Sequence, residues 1–268
     1  MKKIFFICMM LTAMLFFRDG DSEAMQGKVK FYQMTYQTDN VAGNIEINGF
    51  VITEITGKTG NGTAVLNPWL VGENELKAVL KKADPSRAAE FAFGISEMVQ
   101  GDIVSTADKG KILSVEIKNK DFSPDGKAFA ERKFKSGLDF KRHLIEAGKA
   151  KESDVIAYAK KLYALFAQKN AEGILRESEI KIKDYSEAFG GADMKTELRK
   201  YLTEELFRSK LNKLNSAALR AVAVGPAKNI WHVYNGRDEL IKAKSADGST
   251  YELAVYVGLL DGKLKVVR

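Results

Sequence analysis

The chain has 268 residues, of which 45% are hydrophobic and 29% are charged, and its net charge at neutral pH is +7. This length is sufficient for two domains, each burying its own core. Basic and acidic residues alternate along the chain, as in residues 195–200 (KTELRK). Such mixing is typical of a solvated surface and argues against a nucleic-acid partner.

The first 24 residues have the layout of a secretory signal peptide. Two lysines precede an apolar run of 14 residues at positions 4–17, and a polar stretch then ends with Ser22 and Ala24. Small residues at these positions predict cleavage before Met25. The apolar run is shorter than the ~20 residues that a membrane-spanning helix needs. An uncleaved anchor is the alternative.

Cys8 is the only cysteine in the sequence and lies inside the apolar run. After cleavage the chain would have no disulfide, no thiolate nucleophile and no cysteine-ligated metal. Export without cysteine fits a bacterial periplasm better than a eukaryotic secretory route. We therefore predict a periplasmic or secreted bacterial protein with no integral membrane span after cleavage.

Residues 25–137 are predicted to form an all-β sandwich, because short alternating segments are separated by glycine-rich or proline-containing turns. Residues 85–100 fit two patterns. Their apolar residues have helical spacing, but Phe91, Phe93 and Ile95 also alternate as in a strand. We favour a strand because the neighbouring segments are strands. The predicted extended segments are 28–37, 44–55, 64–71, 76–80, 112–117 and 128–134.

Residues 153–268 are predicted to form an α+β domain, in which three helices pack on a curved antiparallel sheet to give a cone-like shape. The predicted helices cover residues 153–166, 171–189 and 194–207. A four-strand meander follows at 229–234, 239–244, 251–260 and 263–268. A linker is predicted at 138–152, where residues 148–151 (GKAK) are flexible and charged.

The C-terminal half resembles the nuclear-transport-factor-two-like (SnoaL-like) superfamily in the order of its elements. A long first helix carries aromatic residues (DVIAYAKKLYALFAQKN), two helices follow, and the sheet ends in a hairpin around Asp261, Gly262 and Lys263. The resemblance implies a cone whose open end holds a pocket. Some members of the superfamily are isomerases or dehydratases, and many only bind a ligand or a protein.

The N-terminal half is similar to exported β-sandwich domains of the galactose-binding-like or Ig-like kind. The similarity lies in residues 47–49 (ING) and 66–76 (LNPWLVGENEL). In those domains the segment is structural, so the resemblance implies no binding residue here.

Motifs for metal binding and catalysis are absent from the sequence. The two histidines, His143 and His232, fall in different predicted regions and are not spaced as metal ligands. No G-x-S-x-G nucleophile motif occurs. We therefore assign no catalytic residue, no metal and no cofactor.

The candidate residues for a ligand pocket lie on the predicted strand at 229–234 and on the first predicted helix. Alternation places His232 and Tyr234 on one face. If that face lined the cone, they would be polar groups able to act as a general acid or base, and Tyr158 or Tyr163 could join them. The alternative is that His232 is a hydrogen-bonded or surface residue. No inward carboxylate is evident from the sequence.

Trp69 follows a proline in a passage from loop to strand. Its ring could stack on a sugar, but a core position is the favoured interpretation because tryptophan buries a large apolar area.

The leading prediction is a non-catalytic, exported binding protein whose partner is a protein or an envelope component, for example an inhibitor or immunity-type protein. One alternative is a small-molecule-binding protein or an isomerase- or dehydratase-like enzyme that uses the cone pocket. Another is a polysaccharide-binding module built on the sandwich.

Overall fold

The computed structural model describes residues 4–6, 29–99 and 110–268. Contacts divide the chain into two compact units, with the boundary between Phe140 and Lys141. This boundary lies within the predicted linker at 138–152. Strand β1 (Ile4–Phe6) groups with the second unit, and the rest of the predicted signal peptide lies outside the described residues.

The described part of the first unit contains antiparallel strands arranged in two sheets of four, which confirms the sandwich-like prediction. Two short 3-10 helices, Asn67–Trp69 and Asn119–Asp121, connect strands. The strands are β2 (Lys30–Asp39), β3 (Val41–Ile47), β4 (Phe50–Thr56), β5 (Gly60–Val65), β6 (Val71–Lys82), β7 (Glu90–Val99), β8 (Lys111–Ile117) and β9 (Lys127–Asp139). The sheet orders are β5-β2-β7-β8 and β4-β3-β6-β9.

Strand β7 confirms the interpretation of residues 85–100 as extended from Glu90 onward. Its buried residues Phe91, Phe93 and Ile95 alternate, as expected for a strand with one face in the core. The stretch 44–55 is a hairpin rather than a single extended run. Asn48 and Gly49 have φ angles of 50° and 73°, which the two-residue turn between β3 and β4 requires.

The second unit begins with helices, and the three predicted helical regions are present. The predicted helix at 171–189 is wrong in one respect, because Ser178 separates it into two helices. Ser178 has a φ of −95° and a ψ of 11°, which ends one helix and begins the next. The helices are α1 (Lys141–Leu144), α2 (Glu152–Ala167), α3 (Ala171–Glu177), α4 (Glu179–Ala188) and α5 (Met194–Glu204), followed by a 3-10 helix at Leu206–Arg208.

The strands of the second unit form two small sheets, so the predicted four-strand meander is wrong. Ala254 alone separates the last residue of one sheet from the first residue of the other. The strands are β10 (Lys210–Leu211), β11 (Leu219–Val224), β12 (Ile230–Asn235), β13 (Asp238–Glu239), β14 (Ile241–Lys244), β15 (Thr250–Leu253), β16 (Val255–Leu260) and β17 (Lys263–Val266). The orders are β1-β15-β14-β10 and β11-β12-β16-β17, with β13 beside β12.

The core of the second unit lies between its helices and the face of β12 that carries Val233. Val233 belongs to the same buried cluster as Ala159, Leu162 and Phe166 of α2 and Leu202 of α5. Apolar side chains therefore pack into the space between the helices and this sheet. None of the helices in the described ranges is long and apolar enough to cross a membrane.

Candidate functional site

His232 is the middle member of a chain of hydrogen bonds. Its Nε2 lies 2.8 Å from Oε2 of Glu239, and its Nδ1 lies 2.7 Å from the hydroxyl of Tyr234. The ring stacks on Tyr256 with 4.2 Å between centroids. Only 7% of His232 is exposed. Glu239 is therefore the carboxylate next to His232 that was not evident from the sequence. Both nitrogens of the imidazole have hydrogen-bond partners.

The face that carries His232 is not the face that packs on the helices. Val233 lies in the helix-packed core, and neighbouring residues of a strand point to opposite sides. His232 and Tyr234 therefore lie on the side of the sheet away from α2. That they line a pocket stays a prediction, since the face of β12 that packs on α2 carries Val233 and not His232.

Tyr158 and Tyr163 form hydrogen bonds with residues other than His232. The Tyr158 hydroxyl donates to Oε2 of Glu177 over 2.8 Å, and the Tyr163 hydroxyl donates to the carbonyl of Asn212 over 2.5 Å. Burial raises the pKa of both phenols, and the neighbouring carboxylate of Glu177 raises that of Tyr158 further. Both tyrosines lie on α2, on the helix side of the sheet, so the four predicted pocket residues do not converge.

Trp69 is 7% exposed and packs on Phe50, with 5.2 Å between ring centroids. A ring in this position is a core anchor and does not present its face to a sugar.

A second buried polar cluster surrounds Asp184 of α4. Its carboxylate accepts from Nη1 of Arg268 over 2.6 Å and lies 2.8 Å from Nδ1 of His143. The side chains of Arg268 and Asp184 are 0% and 2% exposed. This cluster ties α1, α4 and residue 268 together, and its burial favours a structural role.

Within residues 4–6, 29–99 and 110–268, no three histidine, cysteine, aspartate or glutamate side chains are grouped so that they could hold a metal ion.

A trough of about 570 Å³ lies over the β5-β2-β7-β8 sheet of the first unit. Its lining residues come from these four strands or from the residue next to one of them, and none comes from the other sheet. The trough therefore lies on the outward face of one sheet and not between the two sheets. The buried residues Thr38, Phe91 and Ile117 also border it, but alternation directs their side chains to the core.

The register of the four strands explains the shape of the trough. Ala92 of β7 pairs with Gln37 of β2 and with Glu116 of β8, and Gln37 pairs with Asn61 of β5. The small side chain of Ala92 therefore lies between the long side chains of Gln37 and Glu116. Gly94 lies two residues along β7 on the same face and also lacks a large side chain. A depression along β7 with polar walls is the result.

The walls of the trough combine hydrogen-bond donors and acceptors. Gln37 and Asn61 contribute amides, and Thr59 contributes a hydroxyl that donates to Asp39. Glu116 lies 3.7 Å from the ammonium group of Lys118. The remaining outward residue is Glu90, so the lining carries three carboxylates and one ammonium group. The trough is thus polar and carries net negative charge in a chain whose net charge is +7.

Sequence reasoning missed the trough, although a partial signal was present. Polar and apolar residues alternate at positions 116–118 (EIK), which identifies an outward face, whereas residues 37–39 (QTD) are all polar. It does not indicate which strands are neighbours or in which register they pair.

The geometry thus leaves the trough on the first unit as the candidate binding site, and the resemblances noted in the sequence stay predictions. No family model, no curated protein and no solved structure matches this chain.

Proposed function

We propose that this chain is an exported, non-catalytic binding protein of the bacterial envelope, and that its first unit binds a neutral or amino-substituted saccharide. The observation that carries the proposal is the trough over β7, whose outward side chains are almost all polar. A volume of about 570 Å³ lies within the range of typical ligand sites and suits a short oligosaccharide.

The chemistry of the walls favours a saccharide over a peptide. Sugar hydroxyls both donate and accept hydrogen bonds, and the amides of Gln37 and Asn61 and the carboxylates of Glu90 and Glu116 offer both functions. An extended peptide would be bound best along a sheet edge, where backbone groups are available. The outward face of a sheet offers side chains only.

The charge of the trough indicates which saccharides are suitable. The lining has three carboxylates and one lysine, and Arg87 lies 3.9 Å from one of these carboxylates, Asp39. The remaining negative charge would repel an anionic polymer and accept a neutral or amino sugar. Trp69 has no part in this proposal, because its ring is buried.

For the second unit, we propose the nuclear-transport-factor-two-like architecture. The order of its elements supports this: after the single turn of α1 comes the long α2, further helices follow, and the last two strands are joined at Asp261 and Gly262. The apolar core between α2 and β12 gives no support for the enzyme alternative, because His232 lies on the opposite face.

The test is a titration of the mature chain with chitotetraose, cellotetraose and maltotetraose by calorimetry, with an oligogalacturonate as the anionic comparison. We expect at least one neutral tetrasaccharide to bind and the oligogalacturonate to bind more weakly. Ala92→Phe would fill the floor of the trough and abolish binding. Asn61→Ala would weaken it.

Matched controls separate the site from the fold. Ser96→Phe places the same ring on the same face of β7, four residues from Ala92 and thus ~13 Å away. Asn44→Ala removes an amide from β3 of the other sheet. Both controls should bind as the unmodified chain does. Binding that Ala92→Phe leaves intact, or no binding of any tetrasaccharide, would refute the saccharide proposal.

A further inference from the structure

Tyr234 belongs to a chain of hydrogen bonds that leads through His232 to a carboxylate. Glu239 lies 2.8 Å from Nε2 of His232, and the Tyr234 hydroxyl lies 2.7 Å from Nδ1 of the same ring. The order is therefore carboxylate, imidazole, hydroxyl. All three residues come from the hairpin of β12 and β13, in which Tyr234 pairs directly with Glu239.

The chemistry of the carboxylate determines the proton positions. Ionised Glu239 can only accept a hydrogen bond, so Nε2 of His232 carries a proton. In the neutral imidazole, Nδ1 then accepts from the phenol of Tyr234. If the phenol loses its proton to Nδ1, an imidazolium forms next to Glu239, whose negative charge stabilises it. His232 is thus placed to act as a base toward Tyr234.

A positive charge lies over the ring of Tyr234. The guanidinium carbon of Arg220 is 4.1 Å from the centroid of the Tyr234 ring. Its Nε donates to the carbonyl of Gly236 over 3.0 Å, which holds the guanidinium in place. A cation over the ring favours the phenolate over the neutral phenol. Base and cation therefore favour the same ionisation.

Two other tyrosines of this unit, Tyr158 and Tyr201, have opposite surroundings. Burial and the carboxylate of Glu177 raise the pKa of Tyr158, and burial and the charge of Glu205 raise the pKa of Tyr201. Neither neighbour is an imidazole. These tyrosines therefore serve as internal references for the reactivity of Tyr234.

We propose that Tyr234 is a nucleophilic phenol that takes an activated acyl or sulfonyl group from a small electrophilic donor. The phenol oxygen forms a bond to the acyl carbon or sulfonyl sulfur, and the bond to the leaving group breaks. The phenol proton passes to Nδ1 of His232 and from there to the solvent. The product is an ester of Tyr234. Since this site belongs to the second unit, it is independent of the saccharide trough.

The experiment treats the full mature chain with an aryl sulfonyl fluoride at pH 8 and measures labelling of each tyrosine by peptide mass spectrometry. Phenol oxygen displaces fluoride in this reaction. We expect Tyr234 to be labelled faster than Tyr158, Tyr201 and the partly exposed Tyr36. His232→Phe retains a ring for stacking on Tyr256 and should slow labelling of Tyr234 about tenfold or more.

Two further variants keep the proposal testable if His232→Phe fails to fold. Glu239→Gln and Arg220→Met should each slow labelling of Tyr234 and leave that of Tyr36 unchanged. Circular dichroism and thermal melting confirm that each variant is folded. The proposal is overturned if Tyr234 reacts no faster than Tyr36, or if its rate is the same in folded variants that lack the base, the carboxylate or the cation.

Discussion

The side-chain nitrogen of Asn48 donates a hydrogen bond to the side-chain oxygen of Asn74 over 3.0 Å, and both residues are buried. Asn48 also donates to the carbonyl of Trp69, and Asn74 accepts from the backbone nitrogen of Val71. The two asparagines thus join the β3–β4 turn to the start of β6. These are the two segments that the sequence marked as structural.

Replacing Asn48 with alanine should lower the free energy of unfolding by about 2 to 4 kcal/mol, because it leaves buried backbone groups at Trp69 and Glu75 without their hydrogen bonds. Urea denaturation followed by tryptophan fluorescence measures this, with Trp231 replaced by phenylalanine so that the signal comes from Trp69. Asn44→Ala on the outward face of β3 should change the stability by less than about 0.5 kcal/mol. Equal effects of the two substitutions would contradict the structural role of Asn48.

Gly43→Ala should destabilise the first unit strongly. Gly43 has a φ of 150°, and a Cβ at this position would lie 2.1 Å from the backbone oxygen of Val79. Because backbone in a paired strand cannot move away cheaply, we expect a loss of about 3 kcal/mol or more.

Gly60→Ala is the matched control, since a Cβ there meets no atom within 4 Å. Thermal melting of the two variants should show a clear decrease for Gly43→Ala and little change for Gly60→Ala. A tolerated alanine at position 43 would mean that β3 does not approach β6 as closely as described.

Arg268→Met should lower the free energy of unfolding far more than removal of an exposed ion pair does. It leaves the buried Asp184 carboxylate with His143 but without its guanidinium, at a cost of about 3 to 5 kcal/mol. Arg199→Met removes an arginine whose partner Glu172 is exposed, and should cost about 1 kcal/mol or less.

Adding Asp184→Asn to Arg268→Met should recover part of the lost stability, because the unpaired charge is removed. Chemical denaturation of the three variants measures these differences. No recovery in the double variant would show that packing, and not charge, accounts for the effect of Arg268.

Glu205 should make the second unit less stable as the pH rises through the acid range. Burial, and then the neighbouring charge of Glu204, raises the pKa of this carboxyl above its usual value of 4.5. The folded state therefore binds more protons than the unfolded state in the interval above pH 4.5, and stability falls as the pH rises through that interval.

Glu205→Gln removes this titration. We expect it to raise the melting temperature at pH 7 and to have a smaller effect at pH 4. Its Oε2 is buried and makes no hydrogen bond to the described residues, so the substitution breaks no contact of that atom. Glu187→Gln, at an exposed position of α4 that does not act on the pKa of Glu205, is the control. A melting temperature that Glu205→Gln changes equally at both pH values would contradict the prediction.

Elements with strong local periodicity could be predicted from the sequence. Alternation at Phe91, Phe93 and Ile95 identified β7, and apolar residues on one face identified α2. The break at Ser178 and the separation of the two small sheets at Ala254 were missed. Both residues are compatible with the elements that flank them, so no local signal marks the interruption.

Predicting the candidate site from the sequence would have required knowing which strands are neighbours. Glu239 could have been proposed as the partner of His232, because the Asn-Gly pair at 235–236 is a turn signal that folds the chain back on itself at this point. The trough could not have been predicted, because Gln37, Ala92 and Glu116 come from separate strands whose pairing is a long-range property of the sheet.

Strand β12 has a consequence for which sequence changes this protein can accept. His232 faces the hydrogen-bonded chain and Val233 faces the helices, so the two sides of one strand have incompatible requirements. Inserting or deleting a single residue within β12 would shift the register by one and exchange the two sides. An imidazole would then enter the apolar core and a valine would replace it beside Glu239. Length variation should therefore be confined to the turns that flank this strand.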